Sequence, residues 1–266
     1  KIASGLIRQA EWQNKAYHIG LAQNDEEKLF RLVVMLNLYR DALTSLGEEL
    51  GEHSTALLEP LHGILRTQYL LTELISKSIG VYERSLSRFE NDGARAYKSQ
   101  NYKQGKYVIS AIYDVKKNAS KNPIETTQNS LTMLADWMLW NGKRGEANRT
   151  YMEATRAGLT ATDEDLNETP VPAEIFPVPV PLPQLDGFKP LPDTVSTESA
   201  NLLIGFDITK TGRAINVKRL DESDADDAVA RKIIRLISKT RFRPRFELGE
   251  VVIAEGITYG FDTSTW

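Results

Sequence analysis

What most limits the folds open to this chain is a stretch too rich in proline to continue a helix or to fill the middle of a sheet. Eight of its eleven prolines fall between Pro170 and Pro192, in ETPVPAEIFPVPVPLPQLDGFKPLP. Each removes a backbone donor and fixes φ at about −65°, so alternating Val-Pro pairs favour an extended polyproline II rod. The stretch predicts a boundary: residues 1–168 as one domain, 169–194 as a proline-rich linker, and 195–266 as a second domain. A chain of 266 residues is also longer than most single domains. Ile175, Phe176, Val178, Val180 and Leu182 are apolar enough to lie against a domain, so the linker is open to docking as well as to free extension.

Ahead of the linker, apolar residues keep a helical rhythm. Asn24 with Glu27 three places on reads as a capping box. Leu29, Leu32, Leu36, Tyr39, Leu43, Leu46 and Leu50 then recur at intervals of three and four, predicting a helix over 25–50. Phe30, Val33, Val34, Met35 and Leu38 widen the stripe beyond a two-stranded coiled-coil seam, so the helix is expected to be buried among others. Further helices are predicted over 54–69, 71–89, 93–100, 103–118, 124–140 and 144–157, with breaks such as Asn91-Asp92-Gly93 and Asn141-Gly142-Lys143. Short connections of this kind produce antiparallel helix hairpins.

Residues 131–154, LTMLADWMLWNGKRGEANRTYMEA, carry a more specific pattern. Leu131, Leu134, Ala135 and Met138 precede a turn at Gly142, and Ala147, Tyr151 and Ala154 follow it. Small residues let two helices approach and large ones fill the space around them. The segment resembles a tetratricopeptide repeat. Two weaker copies are drawn from Leu61, Leu65 and Tyr69 with Ser78, Tyr82 and Ser85, and from Gly93 and Ala96 with Tyr102, Gly105, Ile109 and Ile112; their spacing departs from the usual period. The resemblance implies a groove that holds a peptide or protein. Its lining would be Asn129, Thr132, Asp136 and Trp140 in the best copy and Ala94, Tyr97 and Lys98 in the middle one.

After the linker the rhythm becomes alternating. Leu202, Ile204, Phe206 and Ile208 define one face of a strand, Lys210-Thr211-Gly212-Arg213 a tight turn, and residues 214–220 a returning strand through Ile215, Val217 and Arg219. Ser223 with Asp226 suggests a helix start, and Val229, Ile233, Leu236 and Ile237 line one face of a helix ending near Thr240. Arg241-Phe242-Arg243-Pro244 ends it. Residues 251–261 form a last strand, kinked at Gly256 and Gly260.

This ββαβ order, carried by FDITKTGRAINVKRLDES, ARKIIRLISKTRFRPRFELGEVV and ITYGFD with the pair Phe242 and Pro244, resembles the TonB C-terminal domain. The expected fold is therefore multidomain: an all-α helical-hairpin repeat array followed by a small α+β domain. The resemblance implies a partner bound by pairing an extended peptide with an exposed strand edge, here near Val251, Ile253 and Tyr259.

Several chemistries find no home. The chain has no cysteine, which removes thiolate metal sites, thiol nucleophiles and disulfides. Its three histidines, His18, His53 and His62, lack HExxH spacing, and no G-x-S-x-G elbow, P-loop or dinucleotide glycine pattern occurs. DESDADDA lacks the glycine and terminal Glu of a calcium loop and reads as helix capping. A net charge of −3 with both signs interspersed gives no footprint for nucleic acid or an anionic membrane, so Arg241, Arg243 and Arg245 read as a solvated strand face. No catalytic, cofactor-binding or metal-binding residue is expected, although an enzyme site assembled from dispersed Asp, Glu, Arg and Tyr is not excluded by sequence. No run suits a membrane-spanning helix. Lys1-Ile2-Ala3 lacks an initiator Met, which suggests that a signal, lipid anchor or membrane anchor has been removed. The expectation is a periplasmic scaffold of the Gram-negative envelope that binds envelope or outer-membrane proteins. The alternative is an energy-transducing TonB-type component whose membrane anchor lies outside these residues.

Overall fold

In a computed structural model, which describes residues 1–82, 88–159, 176, 178–185, 188, 190–221, 227–247 and 250–265, a helix-rich part precedes a small α+β part. Close contacts divide the chain into two units, Lys1–Trp137 and Met138–Trp266. Trp137 and Met138 are consecutive residues of one helix, so the division falls inside an element and upstream of the proline-rich stretch.

The first unit opens with α1 (Ile2–His18), which the sequence reading passed over. Ala3, Ile7, Ala10 and Asn14 repeat at three- and four-residue steps and are buried, and the two alanines permit close packing on α2 (Asp25–Leu50). At the start of α2 the Asn24 side chain accepts from the Glu27 N–H at 2.8 Å, while the Glu27 carboxylate accepts from the Gln23 N–H at 2.7 Å. Of the predicted stripe, Leu32, Leu36 and Tyr39 are buried, whereas Leu29 and Leu50 are exposed.

After a 3-10 turn (Thr55–Leu57) come α3 (Leu58–Tyr82) and α4 (Arg88–Ala119), each longer than expected. The break foreseen after Tyr69 does not occur. Residues 63–72 hold no proline and are buried all round, as suits a central helix. Nor does α4 break at Asn101. That side chain is buried and donates to the Gln68 carbonyl at 2.9 Å and to the Thr72 hydroxyl at 2.8 Å, tying α4 to α3 instead of competing with its own backbone. Glycines set two of these contacts: Gly63 leaves room for the Tyr39 ring, and Gly105 for the indole of Trp137.

Both weaker repeat copies consequently lie on single helices. Leu61, Leu65, Tyr69, Ser78 and Tyr82 all belong to α3, with Ser85 outside the described residues; Gly93, Ala96, Tyr102, Gly105, Ile109 and Ile112 all belong to α4. Neither copy is a helix pair. The best copy is one: α5 (Pro123–Trp140) and α6 (Arg144–Leu159) meet at Gly142, whose φ is 78°. The Lys143 N–H reaches the Met138 carbonyl and the Gly142 N–H that of Leu139, the double closure of a Schellman turn.

In the second unit β2 (Leu202–Ile208) lies between β3 (Ala214–Arg219) and β7 (Ala254–Phe261), antiparallel to both. Leu202, Ile204, Phe206 and Ile208 are buried with Ile233 and Ile237 of α7 (Asp227–Lys239), with Phe242, and with Phe261. Gly212 makes the predicted turn at φ 71°. The returning strand does not alternate as expected. Asn216, at φ 54°, is an extra residue between the pairs Gly205↔Lys218 and Asp207↔Ile215, so Ile215 is turned out to 41% exposure while Val217 packs on the core. The helix-start pair Ser223 and Asp226 lies outside the described residues.

The segment after α7 departs furthest from expectation. Arg241-Phe242-Arg243 is not merely a helix stop but β4 (Arg241–Arg243), and it pairs antiparallel with β1 (Val180–Leu182) from the proline-rich stretch. The described part of the linker is therefore docked. The predicted last strand is two strands: β6 (Glu250–Val252) pairs with β5 (Arg245–Glu247), and β7 pairs with β2.

Candidate protein-binding site

Among the described residues of the helical unit, two hollows lie between helices. One, of about 390 Å³, is walled by Asp25, Leu29, Val33, Leu74, Ile75, Gly93 and Tyr97 and is almost wholly apolar. The other, of about 460 Å³ between α4 and α5, is floored by Ile109, Leu131 and Leu134 and edged by Lys106, Ser110, Tyr113, Thr127 and Ser130. Predicted groove residues are therefore distributed unevenly. Tyr97 lines the first hollow and is 43% exposed, and Lys98 is half-buried beside it in sequence. On α5, residues 127, 130, 131 and 134 face α4, and Asn129 is exposed away from the hollow's lining. Thr132 is half-buried, with its hydroxyl donating to the Gln128 carbonyl. Asp136 is only 4% exposed, too buried to meet a partner. The structure does not gather these residues into one groove wall. Of Ala94, only its place on α4 is described.

A polar cluster holds α1, α2 and α3 together. The Tyr39 hydroxyl and the Arg66 guanidinium both donate to the Glu11 carboxylate, and Arg66 also donates to the Tyr39 oxygen at 2.6 Å. Burial favours the neutral acid, yet the bonds from Tyr39 and Arg66, with the Arg66 charge, outweigh it and hold Glu11 below the ordinary carboxylate range. Burial, with the Glu11 bond behind it, pushes the Tyr39 phenol well up. Burial and the Arg66 charge push His18 down. This is the geometry of a structural tie: each of these three hydrogen bonds runs from one helix to another. Among the described residues no group of three or more His, Asp or Glu could hold a metal ion.

In the sheet unit each arginine of the 241–245 run has an intramolecular partner, so the solvated-face reading is corrected. Arg241 donates to the carbonyls of Leu139 and Trp140 at the end of α5 and lies over the Trp140 ring, 5.6 Å from its centroid. Carbonyls left open at a helix end favour such a cation. Arg243 lies over the Phe176 ring at 5.2 Å, and Arg245 pairs with Glu247. Of the acidic run, Asp221 holds the Leu203 N–H and, with Asp227, the guanidinium of Arg219. The latter contacts fasten the end of β3 to the start of α7.

Three strand-edge residues were predicted. Val251 pairs with Phe246 inside the β5–β6 hairpin, and Ile253, 46% exposed, sits in the gap between β6 and β7. Tyr259 turns its ring to the core, 5.0 Å from Phe206, and its phenol is raised by burial. Only the backbone of β7 is left to offer. The Gly260 carbonyl accepts from the Val195 N–H, so it points away from β2, and the backbone groups of Thr258 two residues earlier point the same way.

The feature that sequence reasoning missed is the seat of the proline-rich segment. Phe176 is buried against Tyr151 of α6 at 5.4 Å and Phe246 at 5.6 Å, with Arg243 over its face. Its carbonyl accepts from the Phe246 N–H at 3.2 Å. Leu182 is buried at the far end, where it pairs with Arg241. The apolar members at 176, 180 and 182 were the visible signal. Comparison of the chain with protein-family models, curated proteins and solved structures finds no match.

Proposed function

We propose that this chain is a protein-interaction scaffold of the bacterial envelope, whose second unit adds an extended peptide to a sheet edge while its helical unit holds a second partner. The reading is carried by one observation: this small sheet unit already takes an extended segment on a strand, with side chains seated at both ends of the contact. The hollows of the helical unit, each within the size range of side-chain and small-ligand pockets, suit the second role. The tetratricopeptide likeness rests on α5 and α6 alone, and the TonB likeness on the β2–β3 hairpin, α7 and β7.

The outer edge of β7 is the proposed place of addition for an envelope partner. Thr258 is exposed and its N–H faces out, so Thr258→Pro removes a donor that the sheet itself does not use. With the full chain as bait in crosslinked envelope extracts, the wild type is expected to retain a partner that the Thr258→Pro chain loses. Equal recovery by both, at equal thermal stability, rules out this edge.

A further inference from the structure

We infer that β4 and β5 form a second peptide groove, specific for extended segments with proline at every other residue, and that Phe176 and residues 178–182 are its occupant in cis. The inference stands on β4, not on β7, and does not need the reading above.

Backbone direction carries it. The Phe242 N–H donates to the Gly212 carbonyl at 2.8 Å, so the groups of Arg241 and Arg243, one residue to either side, are turned to the opposite edge. Val180 pairs there with Arg243, and Leu182 with Arg241. Pro179, Pro181 and Pro183 alternate with these residues, and Pro181 lies opposite Phe242. Every residue that needs a donor toward β4 therefore has one, and every missing donor faces away. A slip of one residue sets prolines against β4 and loses the ladder. The alternation is matched to the strand that it meets.

Two side chains then set the frame. Phe176 fills a pocket of Tyr151 and Phe246 beneath Arg243, and Leu182 is buried beside Arg241. The ligand class follows: an aromatic residue, then aliphatic residues spaced by prolines, ending in Leu six places on. A partner that carries such a segment competes with the chain's own copy, which tethering holds at an effective concentration on the order of millimolar.

The test uses the full chain and a fluorescent peptide with the sequence of residues 176–184. A chain with Phe176→Ala and Leu182→Ala loses its cis competitor and is expected to bind the peptide at least about tenfold more tightly than the wild type. Circular dichroism checks that this chain keeps its fold, and a second variant decides independently of that check. Val180→Cys with Arg243→Cys places cysteines at a paired position, within reach of a disulfide, in a protein that has no other thiol. Oxidised, it should bind no peptide; reduced, the same chain should bind it. A peptide of the same composition with its prolines moved one place should fail throughout, and Thr258→Pro should change nothing. Equal binding by locked and unlocked chains, equal binding of the shifted peptide, or a dimer formed by exchange of the segment between copies would overturn the inference.

Discussion

Tyr39 and Arg66 both aim donors at Glu11, and neither side chain has more than a trace of solvent to turn to instead. Removing the phenol leaves a buried guanidinium short of one acceptor, a loss of about 1–2 kcal/mol. Tyr39→Phe should therefore lower the urea midpoint with an unchanged slope. The carboxylate adds a pH dependence whose sign is fixed by its direction of shift. Glu11 ionises at lower pH in the folded chain than in the unfolded one, so its contribution is complete above the ordinary Glu value of about 4.3 and fades as pH falls through the folded value. Glu11→Gln should lower stability at pH 7 and flatten that part of the acid limb in urea titrations between pH 7 and pH 3. An acid limb as steep as that of the wild type would mean that other carboxylates set it. None of this cluster was legible in the sequence, because Glu11, Tyr39 and Arg66 come together only when α1, α2 and α3 pack.

The elements show where local rules suffice. The β2–β3 hairpin was readable because strand, Gly212 and returning strand are neighbours in sequence; the bulge at Asn216 was not, since it is settled by how Val217 meets α7. α2 was read to both ends from its cap and its stripe. α3 was divided after Tyr69, where no contact-free signal marks a helix buried all round, and α4 was divided because Asn101 and Gly93 look like breakers until α3 supplies the partners for Asn101 and open space surrounds Gly93. The two glycines of α4 should accordingly respond in opposite ways. A Cβ at Gly93 meets nothing within 4 Å, so Gly93→Ala is expected to stabilise by about 0.5–1 kcal/mol. At Gly105 it collides with the Trp137 indole, which is itself held by the Tyr102 carbonyl and the Tyr69 ring, so Gly105→Ala is expected to cost about 1–3 kcal/mol. Thermal denaturation of the pair distinguishes them. Groove residues on α5 were misjudged for a related reason: the helix turns 127, 130, 131 and 134 toward α4, which leaves Asp136 buried.

Across the whole molecule, the change from helical to alternating rhythm correctly separated a helix-rich part from an α+β part, since periodicity survives without knowledge of contacts. It missed the seat of the linker, because a proline-rich strand is identifiable only through the strand it meets. With a net charge of −3 and the arginines of the 241–245 run engaged within the chain, recognition on β4 is expected to rest on backbone bonds and apolar side chains. Peptide affinity, measured by anisotropy, should then vary by less than about threefold between 50 and 500 mM salt. The alternation of prolines in residues 179–183 has a last consequence for a protein in a crowded compartment. An ordinary border strand invites the next chain to stack on it, and such stacking propagates into fibrils. Here the alternate positions Pro179, Pro181 and Pro183 carry no N–H, Pro179 and Pro183 are buried, and the Pro181 carbonyl is already taken by the Gln184 amide, so a would-be neighbour finds no ladder to extend.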